Sequence, residues 1–554
     1  MANSIIRYPL PILGLNTVNP YVEHDSGYAR ELTNYSIKDG RLFTRPGVES
    51  HAFNTNVVNA AIGTPPLLWF DPTSGDNQSI TDDGSRIAYN TYAGVRAEPA
   101  GTFARHYHCT RLKFSGTATT LDMVFGIRRA ATPNQPLLAT SPFTSIGPTA
   151  NFGIVYHATA HKGRLYYYNG AYTVEWGNVG QVAGVFPVAN TISFEQFLAG
   201  QGISRMFSVS LSPGTAPSQN VFVIFGTGGR VLVFEGDTPT SANWNLIASH
   251  DMPPPIGALG FVEIDGDIFV ATKKYCYWFR DLFNGGARSA YEASPSMPIE
   301  NLYQDVFWDG SYALPESAQA YYEPVTDAIV VQCSEKGSAG LTNFEYQNEG
   351  ICFAYFRKYK AWALWAATPF FAPVINSGDI LYATAYRSVI NKLNPSTPTV
   401  DSWVYNNGGT NELSTIGIET SWKTPFASIA AGVGLNLKSA RAWVQCKKSN
   451  LIYEIAVDIY KTRAIFDYSD ANAPYSFYTQ SMVTQVNPQK YTESKINLPL
   501  PGAAVYDTYY SPLLQLGGDG GELSLQITFK GATNGNSYSI YKLAALVQPG
   551  SEIF

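Results

Sequence analysis

His106 and His108 stand two apart and Cys109 follows them. In a strand that spacing puts both imidazoles on one face, the start of a zinc site that needs at least one more ligand. The polar face of an ordinary strand accounts for the same pattern. Glu263, Asp265 and Asp267 form a carboxylate cluster suited to calcium, but they straddle Asp265-Gly266, a turn where aspartate is expected on backbone grounds alone. The run from Gly517 to Gly521 matches half of a calcium β-roll repeat. It occurs once, without the stacking such a roll requires, so a hairpin loop is expected. The densest basic spots are Lys273-Lys274, Arg357-Lys358 with Lys360, and Lys447-Lys448. Tyr359 and Trp362 beside the second spot could add base stacking to charge, a nucleic-acid contact. Ordinary solvation of a hairpin turn explains it as well, and a tyrosine-rich face also suits sugars. The sequence contains no phosphate-binding loop, no HExxH, no GxSxG and no GxGxxG after a strand. No catalytic residue, metal ligand or cofactor-binding residue is therefore assigned, and a non-enzymatic chain without cofactors is expected.

The elements that would position such residues are β-strands. Charged residues make up only 14% of the 554, aromatic residues another 14%, and there are 48 glycines and 34 prolines. A helical protein of this size needs more Glu, Lys and Arg on its wet faces. A chain rich in tyrosine and turn formers is expected to be all-β. The net charge of −6 excludes a surface that is wholly a glove for nucleic acid but permits a local basic patch. The five cysteines, Cys109, Cys276, Cys333, Cys352 and Cys446, are scattered and odd in number, so free and mostly buried thiols are expected. Residues 1–20 hold Pro9 and Pro11 and no sustained apolar run, which does not fit a signal peptide. A membrane-spanning helix, which takes about 20 consecutive apolar residues, is not expected anywhere.

From about residue 150 onward, pairs of apolar runs flank short turns. Arg164–Tyr168 and Ala171–Trp176 flank Asn169-Gly170, a type I′ hairpin signal. Val221–Phe225 and Arg230–Glu235, Phe261–Ile264 and Ile268–Thr272, Ile351–Phe356 and Ala361–Trp365, and Ile380–Ala385 and Val389–Leu393 repeat the pattern. Such a rhythm fits the four-stranded blades of a degenerate β-propeller over 151–400, with a sandwich as the main rival. Residues 51–150 form either an early blade or an inserted β-domain. After about residue 400 longer strands suggest an accessory, sandwich-like platform domain over 401–554. Residues 1–50 form an N-terminal strand and platform segment. The best helix candidate is short, Thr191–Ala199.

One N-terminal segment is more specific. Tyr28 to Asn34 is followed by Gly40-Arg41-Leu42-Phe43-Thr44-Arg45-Pro46-Gly47. With Asn34, Gly40, Leu42, Arg45, Pro46 and Gly47 in these positions, the segment resembles the opening signature of the tail nozzle proteins (tail tubular protein B-like and DNA-stabilisation proteins) of short-tailed bacteriophages. Gly40 is expected to reverse the chain, and Pro46-Gly47 to form a type II turn at a strand end. Arg230 to Gly236, Trp244, Pro255 to Gly257 and Asp265 to Thr272 are similar to that family's blades. Ile418 to Pro425, Lys438 to Val444 and Ile455 to Tyr460 are similar to its platform domain.

The resemblance implies a structural subunit of the virion tail, synthesised in the host cytoplasm. It implies a homohexameric ring below the portal and adaptor, in contact with tail fibre or needle proteins, that retains and conducts genomic DNA. The negative net charge then points to a channel wall that is acidic or neutral, with retention by a narrow constriction. Arg357, Lys358 and Lys360 would belong to a gate loop or to contacts with other tail proteins. The alternative is a propeller glycan hydrolase or lectin acting on host surface polysaccharide. A hydrolase of that kind needs two carboxylates facing each other about 5–10 Å apart, and no such pair is apparent in the sequence. A tailspike or fibre would show long repetitive β-helical sequence, which is absent.

Overall fold

The computed structural model describes residues 3–18, 27–53, 67–71, 76–82, 87–91, 96–97, 103–113, 120–128, 137–138, 151, 157–168, 171–181, 184–211, 219–308, 318–334 and 350–366. It also describes 370–376, 379–384, 389–393, 400–407, 410–425, 427, 433–446, 452–467, 476–492, 507–510, 514–515, 519–520, 522–530 and 538–552. The chain is all-β and propeller-like. Among the described residues, seven open antiparallel sheets follow one another along the chain. Blade 1 is Leu67–Asp71, Asp76–Asp82, Ile87–Thr91 and Arg96–Ala97, and blade 2 is Phe103–Lys113, Thr120–Arg128 and Leu137–Leu138. Blade 3 is His157–His161, Arg164–Tyr168, Thr173–Trp176 and Thr191–Ser193. Blade 4 is Ile203–Leu211, Gln219–Gly226, Arg230–Glu235 and Asn245–Asp251. Blade 5 is Phe261–Ile264, Asp267–Ala271 and Cys276–Trp278, and blade 6 is Gln319–Glu323, Ala328–Ser334, Gly350–Phe356 and Ala361–Ala366. Blade 7 takes Phe370–Asn376, Asp379–Thr384 and Val389–Leu393 from this part of the chain and its fourth strand, Val48–Phe53, from the N-terminal segment.

First strands of successive blades touch, and that of blade 7 touches that of blade 1. Blades 4 and 5 meet through Phe207 and Phe261, whose rings lie 5.6 Å apart. Between blades 1 and 2 the contact runs from the third strand to the first. The circle is thus sealed by a strand from the other end of the chain. The span 51–150, for which an early blade or an inserted β-domain was expected, supplies two of the seven sheets.

Burial within a blade follows from its place between neighbours. Val221 to Phe225 in blade 4 are buried on both faces, which is why the run is continuously apolar. The outer strand Asn245–Asp251 is largely exposed, and its sequence is mixed. Three hairpins, two of them at turns expected from the sequence, turn on residue pairs with positive φ: Asp39 and Gly40 at 49° and 68°, Asp265 and Gly266 at 52° and 72°, and the unforeseen Lys162 and Gly163 at 44° and 75°. These are type I′ turns, whose twist matches the flanking strands. The turn residues 169–170 lie outside the described residues.

The second β-region is built from both ends of the chain. One sheet joins Ser4–Tyr8, Tyr35–Lys38 and Arg41–Thr44 to Tyr538–Glu552 and Val433–Cys446. The other is continuous with blade 6. Its outer strand pairs in parallel with Glu31–Thr33 at Thr33 and Leu364, and the sheet runs on through Thr420–Lys423, Glu522–Lys530, Ile452–Asp467 and Ser476–Thr492. A single core accordingly spans Leu32, Tyr35, Leu42, Phe353, Trp362, Trp422 and Leu543. Gly14 marks where the N-terminal arm crosses blade 6. At φ 81° it pairs with Trp362, and a Cβ there would sit 2.5 Å from the Trp362 nitrogen. Gly14→Ala is expected to destabilise by about 1–3 kcal/mol in chemical denaturation, and an unchanged midpoint would contradict this packing.

Two expectations about local structure are corrected. Thr191–Ala199 is not a helix: Thr191–Ser193 is the outer strand of blade 3, and turns follow, ending in Ala199 and Gly200 at φ 52° and 78°. Its β-branched residues suit an edge strand better than a helix. Among the described residues the α-helices are α1, Phe279–Glu292, broken at Gly286 (φ 76°), and α2, Glu300–Phe307, between blades 5 and 6. Pro46-Gly47 is not a turn either. Residues 45–47 carry neither turn nor bend, and the chain runs on into Val48–Phe53.

Candidate functional site

The N-terminal signature converges on Arg45, which is 2% exposed. Its Nε donates to Asn34 Oδ1 at 3.1 Å, and its Nη1 donates to the Pro46 carbonyl at 3.2 Å. Asn34 holds the left-handed conformation at φ 58°, which asparagine tolerates better than most residues. Its Nδ2 donates to the Glu419 carbonyl at 2.7 Å, and its backbone N–H donates to Leu364 in blade 6. The Arg45 backbone N–H returns to the Asn34 carbonyl at 2.8 Å, closing the loop that carries the Asp39-Gly40 hairpin. Leu42 is fully buried within that hairpin. The signature residues thus tie blade 6, the strand Thr420–Lys423 and the strand that completes blade 7. Arg45 is a buried fastener, where a generic turn would have left it in a surface ion pair.

Arg357 sits in the turn between the third and fourth strands of blade 6. It pairs with Asp265 from the first turn of blade 5, and at 3.2 Å with Asp327 from the first turn of its own blade. Its guanidinium lies 5.7 Å from the Tyr322 ring centre. Lys162 of blade 3 meets Asp237 of blade 4 at 2.9 Å in the equivalent place, with the charges reversed. Turns of adjacent blades are therefore fastened at one end by ion pairs, and Arg357 is one of the fasteners. Lys358 and Lys360 are exposed, with the Lys358 ammonium 5.5 Å from the Tyr359 ring.

The blade 3–blade 4 seam also holds His161, which is buried. Its Nδ1 lies 2.7 Å from Ser208 Oγ and its Nε2 lies 3.1 Å from the Gly236 carbonyl. The carbonyl only accepts, so Nε2 carries the proton and Ser208 donates to Nδ1 of the neutral ring. Tyr166, Phe222 and Trp244 surround the ring, and Tyr166 Oη donates to the Asp237 carbonyl. Burial pushes the imidazole below its usual range, and Lys162 adds to this, against the Gly236 hydrogen bond and Asp237. Nothing in the spacing of His161 separates it from any other histidine beside a strand end.

The metal candidates do not assemble. Asp265 binds Arg357, while Asp267 Oδ1 accepts the N–H groups of Ile268 and Arg280 at the start of α1. Glu263 lies in the field of Arg205 on blade 4. Among the described residues no three His, Cys, Asp or Glu come together as a metal group. A bulge falls between His106 and His108, so the period-two argument does not carry across them. Asp519–Gly520 is a short strand paired with Leu435 and Asn436. The Lys274 ammonium sits 4.4 Å from the Trp308 ring, and residues 447–448 lie outside the described residues. Cys276 and Cys352 are buried thiols outside any disulfide, and burial raises the Cys276 thiol to about 12. No helix among the described residues is long and apolar enough to cross a membrane.

No protein-family model matches the chain, and no curated protein matches it. Solved structures of propellers align with it at low identity. BBS1N, from a complex with ARL6DN, is 11% identical over 64% of this chain and 99% of its own, with a TM-score of 0.35. The WD40 β-propeller domain of Doa1 is 10% identical over 63% and 97%, with a TM-score of 0.30. A mutant Trypanosoma rangeli sialidase displaying trans-sialidase activity is 10% identical over 89% and 96%, with a TM-score of 0.28. Likenesses this distant assign neither activity nor partner.

Proposed function

We propose that this chain is a non-enzymatic structural subunit of a short-tailed bacteriophage tail. In this reading, copies of it form the nozzle ring that retains double-stranded genomic DNA and then conducts it during ejection. The observation that carries the proposal is the N-terminal signature. Asn34, Gly40, Leu42 and Arg45 have the types and spacing of the nozzle family's opening segment, and each has a structural task here that explains the spacing. A sheet continuous from blade 6 into the second β-region supports the reading further, because it makes propeller and platform one mechanical body. A conduit under load benefits from such continuity. The adaptor or portal ring would meet one end of the assembly, and fibre or needle proteins its periphery. Negative-stain imaging of the purified chain tests the proposal. Rings of about six subunits with a central hole are expected, by analogy with the cyclic symmetry of closed assemblies. Isolated globular particles at all concentrations would overturn it.

A further inference from the structure

Blade 3 closes with a loop unlike the turns around it. Residues 177–194 contain no Asp, Glu, Lys, Arg or His. Trp176 and Asn190 pin the loop's ends together. The Trp176 N–H donates to the Asn190 carbonyl, and Asn190 Nδ2 donates to the Trp176 carbonyl, both at 3.1 Å. The segment between them is an Ω-loop, a compact excursion packed by its own side chains. Phe186 is its plug, buried with its ring 4.8 Å from that of Tyr167. On the outside stand Val188, Val179 and Val185. At 77%, 66% and 63% they are the most exposed large apolar side chains among the described residues.

The hydrogen bonds run inward. Gln181 Oε1 accepts the Asn178 N–H at 2.9 Å, while its Nε2 donates to the Val185 carbonyl at 3.0 Å. Thr191 Oγ1 donates to the Val188 carbonyl, and the Arg164 guanidinium donates to the Gly177 carbonyl. The Gly180 N–H donates to the Gly163 carbonyl, which sets the loop at the end of the propeller where Lys162 meets Asp237. Aliphatic side chains therefore lead, these backbone groups are occupied behind them, and the loop has no charge of its own to desolvate. Each property suits hydrocarbon, where a charge or an unpaired polar group is costly. A protein partner calls instead for aromatic or arginine anchors and a charged, hydrogen-bonding rim. A nucleic acid needs charge or stacking rings, and Phe186, the one ring of residues 177–190, is turned inward. We propose that this loop inserts its three valines into the surface of a lipid bilayer as a peripheral contact. That contact does not depend on whether copies of the chain form a ring.

Three valines offer less hydrocarbon than one myristoyl chain, whose membrane association constant is only about 10⁴ M⁻¹. One copy is therefore expected to bind weakly and reversibly. Flotation of the full chain with phosphatidylcholine vesicles tests this, from about 0.1 mM lipid, the reciprocal of that constant, to about 10 mM. The wild-type chain is expected to float equally at about 50 mM and about 500 mM salt, because the loop carries no charge to be screened. Replacing Val179, Val185 and Val188 together by serine is expected to lower the partition about tenfold or more. The midpoint of chemical unfolding should stay unchanged, since all three side chains are exposed. Val188→Leu adds a methylene at the most exposed position and should raise the partition about three- to fourfold. A wild-type chain that fails to float at every lipid concentration overturns the proposal. Flotation that the serine variant retains, or that high salt abolishes, overturns it too and puts lipid contact on another surface. A serine variant whose sedimentation differs from wild type without vesicles makes the valines a contact between proteins, and also overturns it.

Discussion

Asn34→Ala is expected to destabilise the chain by about 3 kcal/mol and to loosen blade 7. Two separable losses make up that figure. An ordinary residue at φ 58° costs about 1–2 kcal/mol, and a hydrogen bond to a buried charged group is worth about 1.5–3 kcal/mol. Arg45 is 2% exposed, so a missing Asn34 Oδ1 leaves part of a buried guanidinium without its acceptor. Asn34→Gly separates the terms, because glycine accepts the backbone conformation but restores neither side-chain bond. It should fall between wild type and Asn34→Ala. Arg45→Met should also destabilise, by leaving Asn34 Oδ1 without this donor. Chemical denaturation gives the energies. Hydrogen exchange gives the location, with faster exchange expected first in Val48–Phe53 and Val389–Leu393, the pair that seals the ring. Equal stabilities for the Gly and Ala variants would remove the backbone part of the account. Unchanged exchange in that pair would remove the claim that the signature holds the ring closed.

The second large effect is a loss of stability in acid that passes through His161. Its folded-state pKa is lowered, first by burial and then by Lys162, against the pull of the Gly236 carbonyl and Asp237. Unfolded, the ring titrates near the usual 6.5. As pH falls below that value the unfolded chain binds a proton that the folded chain takes up only at lower pH. Stability therefore declines on acidification, by at most about 1.4 kcal/mol per pH unit for this one proton. The groups facing His161 across the seam are Ser208, Phe222, Trp244 and Asp237, with Tyr166 and Lys162 beside it on its own blade. Half-buried carboxyl groups with raised values, such as Asp267, act with the opposite sign and offset part of the decline. The difference between wild type and His161→Gln isolates the histidine. The variant should be less stable at pH 7 but lose less between pH 7 and about pH 5. Parallel pH profiles for the two proteins would show that the seam does not titrate through His161.

Much of the fold was written in short-range pattern. The strands Arg164–Tyr168, Arg230–Glu235 and Ala361–Ala366 are legible because a strand buried on both faces must be nearly continuously apolar, and the turn after Phe261–Ile264 because a two-residue turn must accept positive φ. The Gly40 turn was legible too, because it answers to a local backbone demand, whereas the left-handed Asn34 was not foreseen. The identity of Arg45's partner was not, since a buried and an exposed arginine look alike in sequence. Pro46-Gly47 misled for a related reason. The pair permits a turn, but here the chain must stay extended to reach blade 7, and tertiary position outweighed local preference.

The sequence by itself determined the all-β class, the turns at Gly40 and Asp265-Gly266 and the apolar runs of the blades, because each of these is fixed within a few residues. Only the tertiary structure decided the ring of seven sheets, the N-terminal strand that seals it and the sheet that blade 6 shares with both chain ends. It alone also brought His161 to Ser208 and Gly236, and Arg357 to Asp265 and Asp327. These pairings join residues tens to hundreds of positions apart. Backbone hydrogen bonding is the same for any strand, so the choice of partner rests on packing of whole sheets and not on any local run.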